Sequence, residues 1–138
     1  IYGLVETNRG RGSIAEFVQD YDGRPSRQLH TCVEENILDI GAAEEMLAEF
    51  FAWADRCAVA LVTANIDNFL CQFDREGRRR LVMIDGFGPA SMNLKWRIRL
   101  ALPALTRLRT SKTRQRVMSN WQRWSSDRGN GAASHTKG

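Results

Sequence analysis

The sequence has few of the features that mark membrane, secreted or zinc-binding proteins. Its longest apolar stretch, Cys57–Ala64, is far shorter than the roughly eighteen residues that cross a bilayer. The first residues do not place an apolar run behind a basic segment, so they do not resemble a secretory signal peptide. The three cysteines are widely spaced and form no CxxC pair, and there are only two histidines. We therefore expect a cytoplasmic protein with reduced thiols, no transmembrane segment and no zinc site of histidine and cysteine.

The length sets further limits. A chain of 138 residues can hold one domain with a core and is hardly long enough for two. Its hydrophobic fraction of 43% and charged fraction of 26% are ordinary for a globular protein. The chain starts at Ile1, without methionine, in a segment that already has the composition of a strand, so we expect a fragment of a longer protein.

The charges are distributed unevenly along the chain. Residues 1–70 carry five arginines and twelve acidic residues, whereas residues 71–138 carry fifteen basic and four acidic residues. Such a division indicates either an anionic partner for the basic half or attraction between the two halves inside one domain. For a domain of this size we favour the second interpretation.

The first half is predicted to form a β-hairpin followed by two helices. Strand formers at Ile1–Glu6 and alternating residues at Ser13–Gln19 flank a glycine-containing turn. After a connector, apolar residues recur at helical spacing over Arg27–Ile40, and Gly41 is predicted to close this helix. A wider apolar stripe predicts a central core helix over Ala42–Cys57.

The second half is predicted to contain three short strands and then two helices. The strands are Ala58–Thr63, Asn68–Phe73 and Arg80–Ile84, and Asp74–Gly77 forms a turn between the last two. The helices are Leu94–Leu102 and Ser111–Trp124, separated by Pro103 and Thr110–Ser111. Residues 125–138 are small, polar and glycine-rich, which predicts a disordered tail.

Two polar residues stand at the two ends of the predicted hairpin. Asn68 directly precedes the apolar pair Phe69-Leu70, and Asp85 directly follows the apolar run VMI. Oxygen atoms brought together in this way suit a hard cation such as Mg²⁺, which takes oxygen ligands and keeps several waters. Each residue also has an ordinary structural interpretation, Asp85 as a turn residue and Asn68 as a brace for its loop.

The order of these elements resembles the C-terminal lobe of a protein kinase, entered from the last two strands of the N-terminal lobe. Five stretches carry a more specific resemblance: ETNRGRGSIAEFVQDYDGRPS, VTANIDNFLC, VMIDGFG, NLKWRIRL and MSNWQRW. They are similar to the YrbL family of PhoP regulatory network proteins, which are bacterial kinase-like proteins. The resemblance covers Gly3–Trp124.

The resemblance implies a nucleotide site. The segment Glu16–Tyr21 would be the hinge that hydrogen-bonds the edge of adenine through its backbone, at Phe17, Val18, Gln19 and Asp20. By the same resemblance, Asn68 and Asp85 would be ligands of Mg²⁺ bound with ATP.

One position departs from the kinase pattern. Five residues before Asn68, where a kinase has its catalytic aspartate, the chain has Thr63, which cannot accept a proton near neutral pH. Asp67 is the one carboxylate of this loop and the candidate substitute, although a solvated loop acid is the simpler interpretation. The phosphate-binding loop and its lysine would precede Ile1. The resemblance therefore implies a pseudokinase-like protein, and an active phosphotransferase in the complete chain is the alternative.

The basic second half allows a third hypothesis, an adaptor for nucleic acid or for an acidic protein. Trp96, Trp121 and Trp124 stand among many basic residues, as in grooves that bind single-stranded nucleic acid. However, the last two lie at helical spacing with Val117, so an apolar stripe beneath a cationic face explains them without a ligand. We favour that explanation over nucleic-acid binding.

The sequence thus predicts an α+β fold. Residues 1–124 are expected to form a kinase-like C-terminal lobe, mostly helical, with an N-terminal β-hairpin remnant and short hairpin strands. The expected function is regulatory, linked by resemblance to the PhoP network, with ATP and magnesium as ligands and a regulatory protein as a candidate partner.

Overall fold

A computed structural model describes residues 3–87 and 103–134. These residues form two small antiparallel sheets and three α-helices, which confirms the α+β class. The predicted helix Leu94–Leu102, which includes Trp96, lies outside the described residues.

The N-terminal hairpin consists of β1 (Gly3–Thr7) and β2 (Gly10–Ile14). A hairpin is formed as predicted, but its second strand lies earlier in the chain than the predicted Ser13–Gln19. The strands pair antiparallel, and the turn between them is closed by a hydrogen bond of 2.6 Å from the Thr7 hydroxyl to the Gly10 carbonyl. Gly10 has a φ of 109°, a conformation that glycine adopts without strain. The large apolar side chains of this hairpin are exposed, namely Leu4, Val5 and Ile14.

The predicted helix Arg27–Ile40 is wrong over much of its length. Arg27–Gln28 forms a short strand, β3, and helix α1 covers only Leu29–Glu34. The helix ends because the chain turns back on it: the backbone N–H groups of Ile37 and Leu38 both donate to the carbonyl of Cys32. Asn36 adopts a positive φ of 57° within this turn.

Helix α2 covers Ile40–Arg56 and matches the predicted core helix closely. It begins earlier than predicted because the Asp39 side chain caps its first turn and accepts a hydrogen bond of 2.9 Å from the Ala42 N–H. Gly41 therefore lies inside this helix and does not close the preceding one. The buried stripe of α2 consists of Ala43, Leu47, Phe51 and Ala54.

Helix α3 runs without interruption over Pro103–Ser134, which corrects two predictions. The expected break at Thr110–Ser111 is absent because Thr110 is buried against the rest of the protein, and its hydroxyl donates to the Val59 carbonyl at 2.7 Å. The expected disorder from Ser125 is also wrong as far as Ser134. The hydroxyls of Ser125 and Ser126 donate to the Gln122 carbonyl within the helix. Residues 135–138 lie outside the described residues.

The second sheet contains β3, β4 (Phe69–Phe73) and β5 (Arg79–Met83) in the order β3-β4-β5, all antiparallel. The strand predicted over Ala58–Thr63 is not formed. Ala58 has a positive φ of 50°, and Leu61 makes only an isolated bridge with Phe87. The carbonyls of Val59 and Leu61 accept hydrogen bonds from threonines of α3, so helix side chains take the place of a strand partner.

The core lies between the inner face of the three-stranded sheet and the three helices. Each of these elements contributes a large, fully buried side chain: Leu29, Phe51, Phe69 and Trp121. Cys32 and Cys71 are free thiols in this core. The hydrogen bond to Cys32, together with burial, raises the pKa of Cys71 well above its ordinary value.

Candidate functional site

The β4–β5 hairpin has one face in the core and one face turned outward. Directly opposed residues share a face, and successive residues alternate. Phe69 opposes Met83 on the inner face, and both are buried. Leu70 opposes Val82 on the outer face, where both are partly buried. Ile84 continues this outer face and is 53% exposed. Leu70, Val82 and Ile84 thus form an accessible apolar strip, which we term the outer strip.

The predicted hinge segment, Glu16–Tyr21, lies against the turn end of this hairpin. The side-chain amide of Gln72 donates to the Gln19 carbonyl at 2.6 Å, and the Tyr21 N–H donates to the Phe73 carbonyl at 3.0 Å. The Asp20 carboxylate accepts a hydrogen bond of 3.0 Å from the Phe73 N–H. The segment is therefore fixed to β4 at three points.

Part of the hinge backbone is already engaged in hydrogen bonds within the protein. The Val18 carbonyl accepts from the Ser26 N–H at 3.1 Å, and the Asp20 N–H donates to the Arg24 carbonyl at 2.8 Å. Phe17 is 68% exposed. Of the four residues predicted to meet adenine, Val18, Gln19 and Asp20 thus use a backbone carbonyl or N–H to hold the segment in place.

Asn68 and Asp85 meet at the other end of the hairpin. The Asn68 side chain donates through Nδ2 to the Asp85 carbonyl at 3.3 Å, and the Ile84 N–H donates to the Asn68 carbonyl at 2.9 Å. Oδ1 of Asp85 accepts from the Gly86 N–H at 2.6 Å. Among the hydrogen bonds of the described residues, none uses Oδ1 of Asn68 or Oδ2 of Asp85. The structure thus brings these two predicted residues together, and each keeps a side-chain oxygen that can bind a ligand.

The loop before Asn68 packs closely on Gly86. The N–H groups of Val62 and Thr63 lie 2.9 and 3.4 Å from the Gly86 carbonyl. A Cβ atom on Gly86 would lie 2.6 Å from the Ala64 nitrogen, so only glycine permits this approach. Thr63, which the sequence predicts at the position of a kinase catalytic base, is exposed and contacts Gly86, the residue that directly follows Asp85.

Asp67 is engaged on the side of this loop that faces α1. Its carboxylate accepts a hydrogen bond of 3.1 Å from the Asn65 side chain and lies 3.9 Å from Nδ1 of His30. Its carbonyl accepts from the side chain of Gln28 at 3.1 Å. Asn65 also caps the short 3₁₀ helix Ile66–Asn68. These contacts give Asp67 a structural role in the loop.

Metal coordination by this site would rest on few protein ligands. Within residues 3–87 and 103–134, no three side chains of His, Cys, Asp or Glu lie close enough to hold a metal ion together. One amide oxygen and one carboxylate match the type of site in which Mg²⁺ keeps most of its waters or binds the phosphates of a nucleotide.

Helix α3 braces the same loop, which the sequence did not reveal. The Arg116 guanidinium donates through Nη2 to the carbonyls of Val62 and Ala64, both at 3.2 Å. The Thr113 hydroxyl donates to the Leu61 carbonyl at 2.8 Å. The only sequence signal for this arrangement is the spacing of Thr106, Thr110, Thr113 and Val117, all of which are buried on one side of the helix.

Of the described tryptophans of the basic region, Trp121 belongs to the core and Trp124 is partly buried against it. Trp121 is fully buried and donates through its indole N–H to the Glu44 carboxylate at 3.2 Å. Trp124 packs on Trp121, with ring centroids 4.9 Å apart, and on His30 at 6.0 Å. These rings are therefore not displayed for stacking on nucleic-acid bases.

The profile of the family described as PhoP regulatory network protein YrbL matches residues 1–125. No curated protein and no solved structure matches the chain significantly. Among the helices of the described ranges, none combines the length and the apolar character needed to span a membrane.

Proposed function

The chain belongs to the family of PhoP regulatory network protein YrbL, and from this premise we propose that it is a kinase-like regulatory module that binds ATP with magnesium and lacks phosphotransfer activity of its own. The observation that carries the proposal is the meeting of Asn68 and Asp85 at one end of a rigid hairpin, with the outer strip beside them.

The polar end of the hairpin suits a divalent cation. Oδ1 of Asn68 and the Asp85 carboxylate are hard oxygen donors. Asn68 is fixed by the backbone hydrogen bond from Ile84, and its side chain is bonded to the Asp85 carbonyl. The Gly86 N–H bond to Oδ1 of Asp85 orients that carboxylate. A magnesium ion held here would neutralise charge on the phosphates of ATP.

The rest of the hairpin suits the nucleoside. About 14 Å of strand separates Asn68 from Gln72, at roughly 3.4 Å per residue, and Gln72 is bonded to the hinge segment. This span is comparable to the length of a nucleotide from its base to its terminal phosphate. The outer strip offers an apolar surface for the flat face of adenine between these two ends.

The absence of a suitable base favours binding over catalysis. The Thr63 hydroxyl cannot accept a proton at neutral pH, and Asp67 is bonded to Asn65 and lies beside His30. An active phosphotransferase would need Asp67 to leave these contacts. Regulation through nucleotide binding requires no such rearrangement.

A thermal-shift experiment tests this proposal. Because a ligand that binds the native state stabilises it, millimolar ATP with Mg²⁺ is expected to raise the Tm of the wild-type chain. Asp85→Ala is expected to abolish the rise by removing the carboxylate ligand. Asp127→Ala removes the same charge from an exposed position on α3 and is the matched control, for which the rise should be retained. An unchanged Tm of the wild-type chain with ATP and Mg²⁺ would contradict the proposal.

A further inference from the structure

Three basic side chains of α3 surround one small depression in the surface. Arg109, Lys112 and Arg116 stand at positions i, i+3 and i+7 and therefore lie on one flank of the helix. With Val62 and Thr113 they line a depression of about 70 Å³. We term it the α3 depression.

Two of these three basic side chains, Lys112 and Arg116, form no ion pair with an acid of the described residues. Between Pro103 and Arg128, α3 contains seven basic residues and one acidic residue, Asp127. The depression therefore has a strong positive potential.

Two of the side chains that line the depression, Arg116 and Thr113, are held in place by hydrogen bonds within the protein. Nη2 of Arg116 is fixed by the carbonyls of Val62 and Ala64, while Nη1 and Nε make no hydrogen bond to the described residues. The Thr113 hydroxyl is fixed by the Leu61 carbonyl. A guanidinium fixed in this way loses little entropy when it binds an oxyanion, so the site is pre-organised.

We infer that the α3 depression binds a phosphate group. Its volume is well below the roughly 300 Å³ of a typical small-molecule pocket, which suits one tetrahedral oxyanion and excludes a nucleoside. Of the tryptophans that the structure describes in this region, Trp121 is fully buried and Trp124 packs on it at the edge of the core. The recognised chemistry is the phosphate itself, carried either by a small molecule or by a phosphorylated side chain of a polypeptide.

Titration of the full chain with inorganic phosphate tests this inference. The titration is done at constant ionic strength and without nucleotide or Mg²⁺, so its outcome is independent of the nucleotide proposal. Calorimetry of the wild-type chain is expected to show saturable binding. Lys112→Gln should weaken it about tenfold or more, because a charge-assisted hydrogen bond is lost. Arg114→Gln is the matched control: it removes the same charge from the opposite flank of α3 and should change the affinity less than about twofold. Both positions are exposed and make no described side-chain contact, so both variants should fold.

The source of the phosphate is distinguished by a second ligand. Tighter binding of a phosphoserine peptide than of inorganic phosphate would indicate a phosphorylated polypeptide, and equal affinity would indicate a small phosphate compound.

The inference is overturned if the wild-type chain shows no saturable binding at tens of millimolar phosphate. It is also overturned if Lys112→Gln and Arg114→Gln weaken binding equally, or if a single-stranded oligonucleotide binds far more tightly than phosphate and equally well to both variants.

Discussion

At the residue scale, the geometry of the candidate site depends on Gly86. Its φ of 103° lies in the region that favours glycine, and a Cβ atom would meet the Ala64 nitrogen at 2.6 Å and the Ala64 Cα at 2.7 Å. Both contacts are to backbone, which cannot move aside as a flexible side chain can. Gly86 therefore determines how closely the Val62–Ala64 loop approaches Asp85.

Gly86→Ala is expected to lower the free energy of unfolding by about 3 kcal/mol or more, since left-handed strain costs roughly 1–2 kcal/mol and overpacking roughly 1–3 kcal/mol. Gly77→Ala is the control, because Gly77 also has a positive φ of 76° but has no atom within 4 Å of its Cβ position. It should cost only about 1–2 kcal/mol of strain. Urea unfolding of both variants measures the difference, and an equal cost for the two would show that the contact with Ala64 is unimportant.

Part of the candidate site can be predicted from local sequence patterns, and part cannot. Asn68 and Asp85 stand at the ends of a hairpin whose turn and alternating pattern are local signals, so their meeting could be predicted. Arg116 could not be recognised in the same way. Its partners, Val62 and Ala64, are 54 and 52 residues away, and no local pattern indicates that an arginine on an exposed helix flank bonds loop carbonyls.

At the element scale, two errors of the sequence prediction, the strand at Ala58–Thr63 and the break in α3, have one physical origin. The run Ala58–Thr63 has strand composition, yet its carbonyls are bonded by Thr110 and Thr113 of α3 and not by a strand. Thr110, together with Ser111, suggested a helix break in the sequence, and both residue types have a lower helix propensity than alanine. Tertiary hydrogen bonds between the two segments decide the structure of both.

Thr113→Val tests this connection between α3 and the loop. The substitution keeps the shape of the side chain but leaves the buried Leu61 carbonyl without its 2.8 Å hydrogen bond, which should cost about 1–3 kcal/mol. Ser111→Ala, at an exposed position of the same helix, is the control and should be neutral or slightly stabilising. Chemical denaturation of the two variants provides the measurement. Equal stability of Thr113→Val and the wild-type chain would mean that this bond does not hold the loop.

At the scale of the whole molecule, basic side chains of α3 meet the acidic first half through backbone carbonyls, as Arg116 does at Val62 and Ala64. The ion pairs between described residues lie within the first hairpin, around β3 and α1, or at the Asp74–Arg78 turn, and none joins an acid of α2 to a base of α3. Among the hydrogen bonds of the described residues, the Glu44 carboxylate meets α3 through the neutral indole of Trp121. Lys112 and Arg116 form no ion pair with a described residue, which is compatible with the phosphate site proposed at the α3 depression.

The overall class of the fold was easier to predict than its details. The α+β class, the first hairpin, α2 and the β4–β5 hairpin follow from periodicity and turn residues, which are local properties. The length of α3 depends on contacts between distant segments, such as the hydrogen bond of Thr110 to the Val59 carbonyl at 2.7 Å. The family match supports the link to the PhoP regulatory network, and the kinase-like relationship stays a proposal.

The central claim is that Asn68 and Asp85 together hold the divalent cation of a bound nucleotide. Mn²⁺ occupies the same kinds of oxygen site as Mg²⁺, and its unpaired electrons broaden the NMR signals of nearby amides. With Mn²⁺ and ATP, the amide signals of Asn68, Ile84 and Gly86 are predicted to be lost, while that of Gly77 at the far turn persists; Asp85→Ala should restore the lost signals. Broadening centred elsewhere in the molecule, or unchanged in Asp85→Ala, would contradict the account.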